Sequence, residues 1–219
     1  MRIELPSGTP AEVALVDDPV RGLVIAPDIF GLRPLFDQMV ARLAAEHRWN
    51  VAAVEPFPGE DLPGDDAAPR MAVVPKLHDE RVLGDLVAAA DRLGVEPVAC
   101  IGFCMGGMYA FKAAATGRFD RVVSFYGMIR LPPAWAGPGQ EEPLDALGRV
   151  DDPSRVLAVI GTEDPYTPPA DVEALRRSGV QLACYPGAEH GFVHDPARPA
   201  HRPADAADAW ARMARHLAV

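Results

Sequence analysis

Short runs of apolar, often β-branched residues alternate along this chain with longer segments whose apolar positions recur at helical spacing. Ile3 to Leu5 and Val13 to Val16 predict a short antiparallel start. Beyond them, Gly22 to Ala26, Val51 to Val54, the run from Val98 up to Cys104, Arg121 to Tyr126, Leu157 to Gly161 and Val180 to Tyr185 read as strands. Most are apolar enough to be buried on both faces. Helices are predicted between them over Leu35 to His47, His78 to Leu93, Met105 to Thr116 and Pro169 to Ser178, with Ala204 to Leu217 closing the chain. Gly94 and Gly179 stop two of these helices, since glycine readily takes the left-handed conformation that follows a last turn. Such alternation predicts an α/β fold with a mainly parallel sheet and helices on both faces. No repeat or linker composition divides the chain, so one domain over residues 1–219 is expected. Two proline- and glycine-rich connections, Pro56 to Pro75 and Arg130 to Pro153 around Trp135, interrupt the pattern, and such loops commonly shape substrate access.

The chemistry concentrates in Val98-Ala-Cys-Ile-Gly-Phe-Cys-Met-Gly-Gly107. Cys104 falls on a strand-to-helix turn. A nucleophile on such an elbow has a strained backbone and a close neighbouring chain, so the positions two residues either side must be nearly bare. Gly102 and Gly106 meet that demand. The turn also aims the thiol at a helix N-terminus, where free N–H groups favour a thiolate and a developing oxyanion.

Two later segments supply partners. Thr162-Glu-Asp-Pro-Tyr-Thr-Pro168 follows the strand ending at Gly161, and places Asp164 to orient a histidine. Pro186-Gly-Ala-Glu-His-Gly-Phe192 follows the next strand and carries His190. Nucleophile, acid and histidine come in the chain order of α/β hydrolases, each just after a strand, at the edge where open parallel sheets gather their ligands. An ordinary thiol, with a pKa near ~8.5, is mostly protonated at neutral pH. His190 would therefore accept the proton of Cys104 or stabilise its thiolate, and Asp164 would hold the imidazole in the right tautomer. The backbone N–H groups of Met105 and Ile29 are the expected oxyanion donors. His190 and His194 are four apart, with Asp195 and His201 nearby, but Gly191 and the prolines make this a loop, and no metal site is expected. His47, His78 and His216 lie at helix ends and read as surface structure. Phe30, Phe57, Tyr126, Phe192 and His194 are candidate substrate contacts, His194 at the pocket rim.

Taken together, Gly102-Phe-Cys-Met-Gly-Gly107, Gly161-Thr-Glu-Asp164, Glu189-His-Gly-Phe192, Ala26-Pro-Asp-Ile-Phe-Gly31 and Gly84-Asp-Leu86 resemble the dienelactone hydrolase family over almost the whole chain. The resemblance implies an α/β-hydrolase fold and cleavage of a small ester or lactone by a Cys-His-Asp triad, with no cofactor. It also implies that an acidic residue near the nucleophile modulates it. The family usually has glutamate there, and this chain has the shorter Asp28, which would compete with His190 for the thiol. Family members acting on dienelactone hold its carboxylate with arginines. Here the first such position falls near Gly59 or Glu60 and the second on His194, leaving Arg70 or Arg198 to compensate. A related ester, lactone or thioester is therefore the expected substrate. A thioesterase, an acyl transferase or a non-catalytic small-molecule-binding protein are the alternatives.

Composition narrows the surroundings. With 49% hydrophobic and 24% charged residues in 219, the chain suits a closed α/β core. Its formal net charge of −10 opposes binding to nucleic acid or an anionic membrane. No segment approaches the ~18 apolar residues of a membrane span. The start Met1-Arg-Ile-Glu-Leu-Pro lacks a leader pattern, so a cytoplasmic protein is expected. Cys100, Cys104 and Cys184 are odd in number and in strand-like contexts, which fits reduced thiols, and a monomer is the default.

Overall fold

The computed structural model of the chain describes residues 1–62, 64 and 66–218. Its strands are β1 (Arg2–Glu4), β2 (Pro10–Ala14), β3 (Arg21–Ala26), β4 (Trp49–Val54), β5 (Val98–Phe103), β6 (Val122–Phe125), β7 (Val156–Gly161) and β8 (Gln181–Tyr185). They form one eight-stranded sheet in the order β1-β2-β4-β3-β5-β6-β7-β8. β1 and β2 run antiparallel and everything from β4 to β8 is parallel. Every residue of β3, β4, β5, β6 and β7 is buried, as expected of strands covered on both sides.

The helices are α1 (Pro34–His47), α2 (Ala67–Val73), α3 (Asp79–Arg92), α4 (Met105–Ala113), α5 (Pro143–Leu147), α6 (Pro169–Arg177) and α7 (Pro203–Leu217). α1 packs on β2 and β4, and α7 on β7. α3 and α4 pack on one another and on β3 to β6. No helix among the described residues is long and apolar enough to cross a membrane.

Register brings the functional loops together. Ala26 pairs with Gly102, Phe103 with Phe125, and Gly161 with Tyr185. The exits of β3, β5 and β6 are therefore neighbours, and so are those of β7 and β8. Two differences from the sequence reading have physical causes. β4 begins at Trp49, two residues earlier than the apolar run, because buried Asn50 finds partners: its Oδ1 accepts from Val16 N–H at 3.0 Å and its Nδ2 donates to Leu93 O at 2.8 Å. The long connections hold the short helices α2 and α5, too brief for a periodic signal. Asp66 caps α2 by accepting from Ala68 N–H, and Pro143 opens α5. Within the first connection, positions 63 and 65 lie outside the described residues.

A buried ion pair ties the second connection down. Lys112 of α4, wholly buried, donates to both oxygens of Asp79 at 2.9 Å, and Asp79 also accepts from Glu141 N–H at 2.9 Å.

Candidate active site

Cys104 joins β5 to α4 with φ 56°, a region that a non-glycine residue enters only under strain. The flanking glycines make this possible. A Cβ on Gly102 would lie 2.0 Å from Gly106 O, and one on Gly106 would lie 2.0 Å from Ala26 O. The second contact holds the exit of β3 against the elbow. Among the described residues no protein group accepts from the N–H of Met105 or of Ile29. Both expected oxyanion donors are thus free.

His190 Nδ1 is 2.8 Å from Asp164 Oδ2. The carboxylate fixes the tautomer with hydrogen on Nδ1, leaving Nε2, which is buried and has no hydrogen-bond partner among the described residues. Asp164 itself is buried, and its other oxygen accepts from Tyr166 N–H at 2.8 Å. Burial disfavours a charged His190, but attraction to the Cys104 sulfur and the bond to Asp164 outweigh it and push its pKa up to about 10. The rings of Tyr126 and Tyr166 stand edge-on to this imidazole, at 5.2 and 4.8 Å.

Cys104 and His190 open into one cavity of about 190 Å³. Ile29 and Phe30 of the β3 exit line it, as do Met71 of α2 and Met128, Trp135 and Tyr166 from the other connections. Asp28 and Arg198 are its charged residues besides His190. Arg198 lies against the histidine loop, its Nη1 2.7 Å from where a Cβ on Gly191 would be, and no carboxylate among the described residues pairs with it. Arg70 of α2 turns instead to backbone oxygens at Leu62 and Asp66, with its guanidinium 5.6 Å from the Phe30 ring centre.

Asp28 does not reach the thiol by a hydrogen bond. Its Oδ1 accepts from Phe30 N–H at 3.0 Å and Arg33 Nη1 at 2.7 Å, and its Oδ2 from Arg33 Nη2 at 2.9 Å and His194 Nε2 at 2.8 Å. Burial alone would raise its pKa. The bonds from His194 and Arg33 reverse that and hold the carboxyl well below the usual carboxylate range. The expected competition with His190 for the sulfur is thus replaced by an aspartate already engaged at both oxygens.

The substrate-contact expectations divide. Phe30 lines the cavity, whereas Phe57, Tyr126, Phe192 and His194 do not. Phe57 and Phe192 are core residues, the latter packed on Tyr126 and Tyr185. His194 is not at a rim: its side chain is fully buried between Tyr126 and Asp28. Aromatic residues at strand ends look alike in sequence whether they face core or cavity. Nothing in the local sequence marks Met71, Met128 or Tyr166 as facing the cavity, although Tyr166 stands two residues past Asp164. Among the described residues no group of three or more His, Cys, Asp or Glu is placed to hold a metal ion. Cys100 is buried in β5, and burial pushes its thiol up to about 12; Cys184 is exposed on β8.

A strained strand-to-helix turn at Cys104 on a mainly parallel sheet, with an Asp164–His190 pair on the exits of later strands, is the arrangement of an α/β-hydrolase fold. A sequence model described as the dienelactone hydrolase family matches residues 8–218, and the chain belongs to that family. A Saccharolobus solfataricus protein assigned as a carboxymethylenebutenolidase is 30% identical over 165 residues, 72% of this chain but 59% of that protein. This chain therefore spans less than two thirds of that relative's length. The carboxymethylenebutenolidase of Pseudomonas putida is 29% identical over 204 residues, 82% of this chain and 80% of that protein. A crystal structure from Klebsiella pneumoniae, assigned as a dienelactone hydrolase, superposes with a TM-score of 0.86 at 25% identity, covering 100% of this chain and 97% of the other.

Proposed function

We propose that this protein hydrolyses a small ester or lactone through a Cys104-His190-Asp164 triad and an acyl-thioester intermediate. The observation that carries this reading is His190, bonded to Asp164 through Nδ1 while its unpartnered Nε2 is buried beside the cavity that Cys104 also lines. His190 Nε2 takes the proton of Cys104 as its sulfur attacks the substrate carbonyl, and the carbonyl oxygen takes up negative charge between the N–H groups of Met105 and Ile29. Such a donor typically contributes roughly 3–4 kcal/mol to the transition state. His190 gives its proton to the departing alkoxide, which for a lactone stays tethered to the acyl group. A water then attacks the thioester, giving its proton to His190 and restoring the sulfur.

At about 190 Å³ the cavity lies below the ~300–1,000 Å³ that encloses drug-sized ligands, and its wall is mostly apolar, which favours a compact acyl group. Arg198, unpaired at that wall, favours a substrate carrying a carboxylate. The test is hydrolysis of a panel of p-nitrophenyl esters, lactones including dienelactone, and an acyl thioester, by wild type and Cys104→Ala in parallel. Turnover of an ester or lactone that Cys104→Ala abolishes supports the reading. Turnover of the thioester alone would move it to a thioesterase, and equal turnover by both proteins would overturn the triad.

A further inference from the structure

Three charged or polar side chains deep in the site have no part in the mechanism above. Tyr126, His194 and Asp28 are all buried, and they form one chain. The Tyr126 hydroxyl meets His194 Nδ1, and His194 Nε2 meets Asp28 Oδ2 at 2.8 Å. Asp28 closes the chain on Arg33 with two bonds of 2.7 and 2.9 Å. Of the two neutral tautomers only one fits: Nε2–H donates to the aspartate and Nδ1 accepts from the hydroxyl. Burial lowers the His194 pKa and so favours this neutral ring.

The chain spans the three loops that surround the thiol. Tyr126 is the first residue past β6, at φ 40°, with its ring edge-on to His190. His194 belongs to the loop of His190, and its ring stacks on Phe103, the residue before the nucleophile, at 4.8 Å. Asp28 sits in the β3 exit next to Ile29. There its carboxylate accepts from Phe30 N–H while its carbonyl accepts from Gly31 N–H at 3.0 Å. The Ile29 N–H thus belongs to a peptide unit whose carbonyl is held by Gly31 N–H, and the next unit is held by the Asp28 carboxylate. A neutral histidine and a carboxylate are costly to bury, and apolar packing would brace the loops at no such cost.

We propose that His194 is a positioning residue for the oxyanion site: with Tyr126 behind it, it fixes Asp28, and Asp28 fixes the turn that presents the Ile29 N–H to the carbonyl oxygen. The proposal rests on the cysteine-hydrolase reading. Alkylation of Cys104 forms no oxyanion, so it separates this role from support of the triad.

The experiment compares p-nitrophenyl acetate turnover with the iodoacetamide alkylation rate in wild type, Cys104→Ala, His194→Leu, His194→Gln and Tyr126→Phe. In His194→Leu, kcat falls about 10- to 100-fold, less than the roughly 100- to 1,000-fold of losing an oxyanion donor outright, with KM and alkylation within about twofold of wild type. His194→Gln, whose amide can still donate to Asp28, recovers most of the loss. Tyr126→Phe loses several-fold in kcat, and carries the test alone if His194→Leu does not fold. Unchanged kcat in the folded variants, alkylation that falls in step with kcat, or no recovery in His194→Gln overturns the positioning role. Equal turnover by wild type and Cys104→Ala, or none by wild type, sinks the underlying reading instead.

Discussion

Replacing Cys104 by alanine should change the charge of a residue that it does not touch covalently. The His190 pKa of about 10 balances burial, which lowers it, against attraction to the Cys104 sulfur and the bond to Asp164, which raise it. Two unit charges about 4 Å apart at an effective dielectric constant of about 20 interact by ~4 kcal/mol. At 1.36 kcal/mol per pH unit, this is worth about three pH units. Cys104→Ala removes the sulfur and leaves burial opposed by Asp164 alone, so His190 should titrate about three pH units lower, near 7. The assay is a pH titration of the imidazole nitrogens by NMR in both proteins, with His190→Gln to assign the signal. A raised folded-state pKa contributes stability that is fully present below the unfolded value near ~6.5 and is lost as pH rises through about 10. The His190 contribution in wild type therefore declines across that interval, and in Cys104→Ala it is largely absent. A His190 that titrates near 6.5 in wild type, or near 10 in both proteins, would refute the coupling of this histidine to the sulfur.

Two further consequences concern other parts of the molecule. Arg198→Met should raise KM for a carboxylate-bearing ester about 10- to 100-fold, the worth of a charged hydrogen bond, and leave a neutral ester nearly unchanged; equal effects on both would remove Arg198 from substrate recognition. Asp79→Asn leaves the Lys112 ammonium buried beside a neutral amide and should cost ~3–5 kcal/mol in urea unfolding, whereas Lys112→Met with Asp79→Leu should cost far less; a loss below about 1 kcal/mol in Asp79→Asn would show that the ammonium finds water.

The strands were readable because burial on both faces leaves runs of apolar residues that end sharply, and the elbow because its backbone strain demands glycine at 102 and 106. Asp164 and His190 were readable because each follows such a run, and the sheet register then sets their loops side by side. The cavity wall was not readable. Its apolar members come from α2, from Trp135 of the second long connection and from the exits of β3, β6 and β7, and their inward direction depends on how those loops return to the sheet. Arg198 was a candidate by residue type alone, and only the fold lays it against Gly191. The sequence marks His194 and Asp28 singly, as a rim residue and a competitor for the thiol. Their bond to one another joins positions 166 residues apart, a pairing that no local pattern encodes.

The most direct test of the account is intact-mass analysis of the protein mixed rapidly with p-nitrophenyl acetate, in wild type and Cys104→Ala. Wild type should transiently gain the mass of one acetyl group, mapped by proteolysis to the peptide holding Cys104, while p-nitrophenol is released in a burst, and Cys104→Ala should gain none. Ester turnover with no acyl adduct on Cys104, or an adduct that persists in Cys104→Ala, would contradict it.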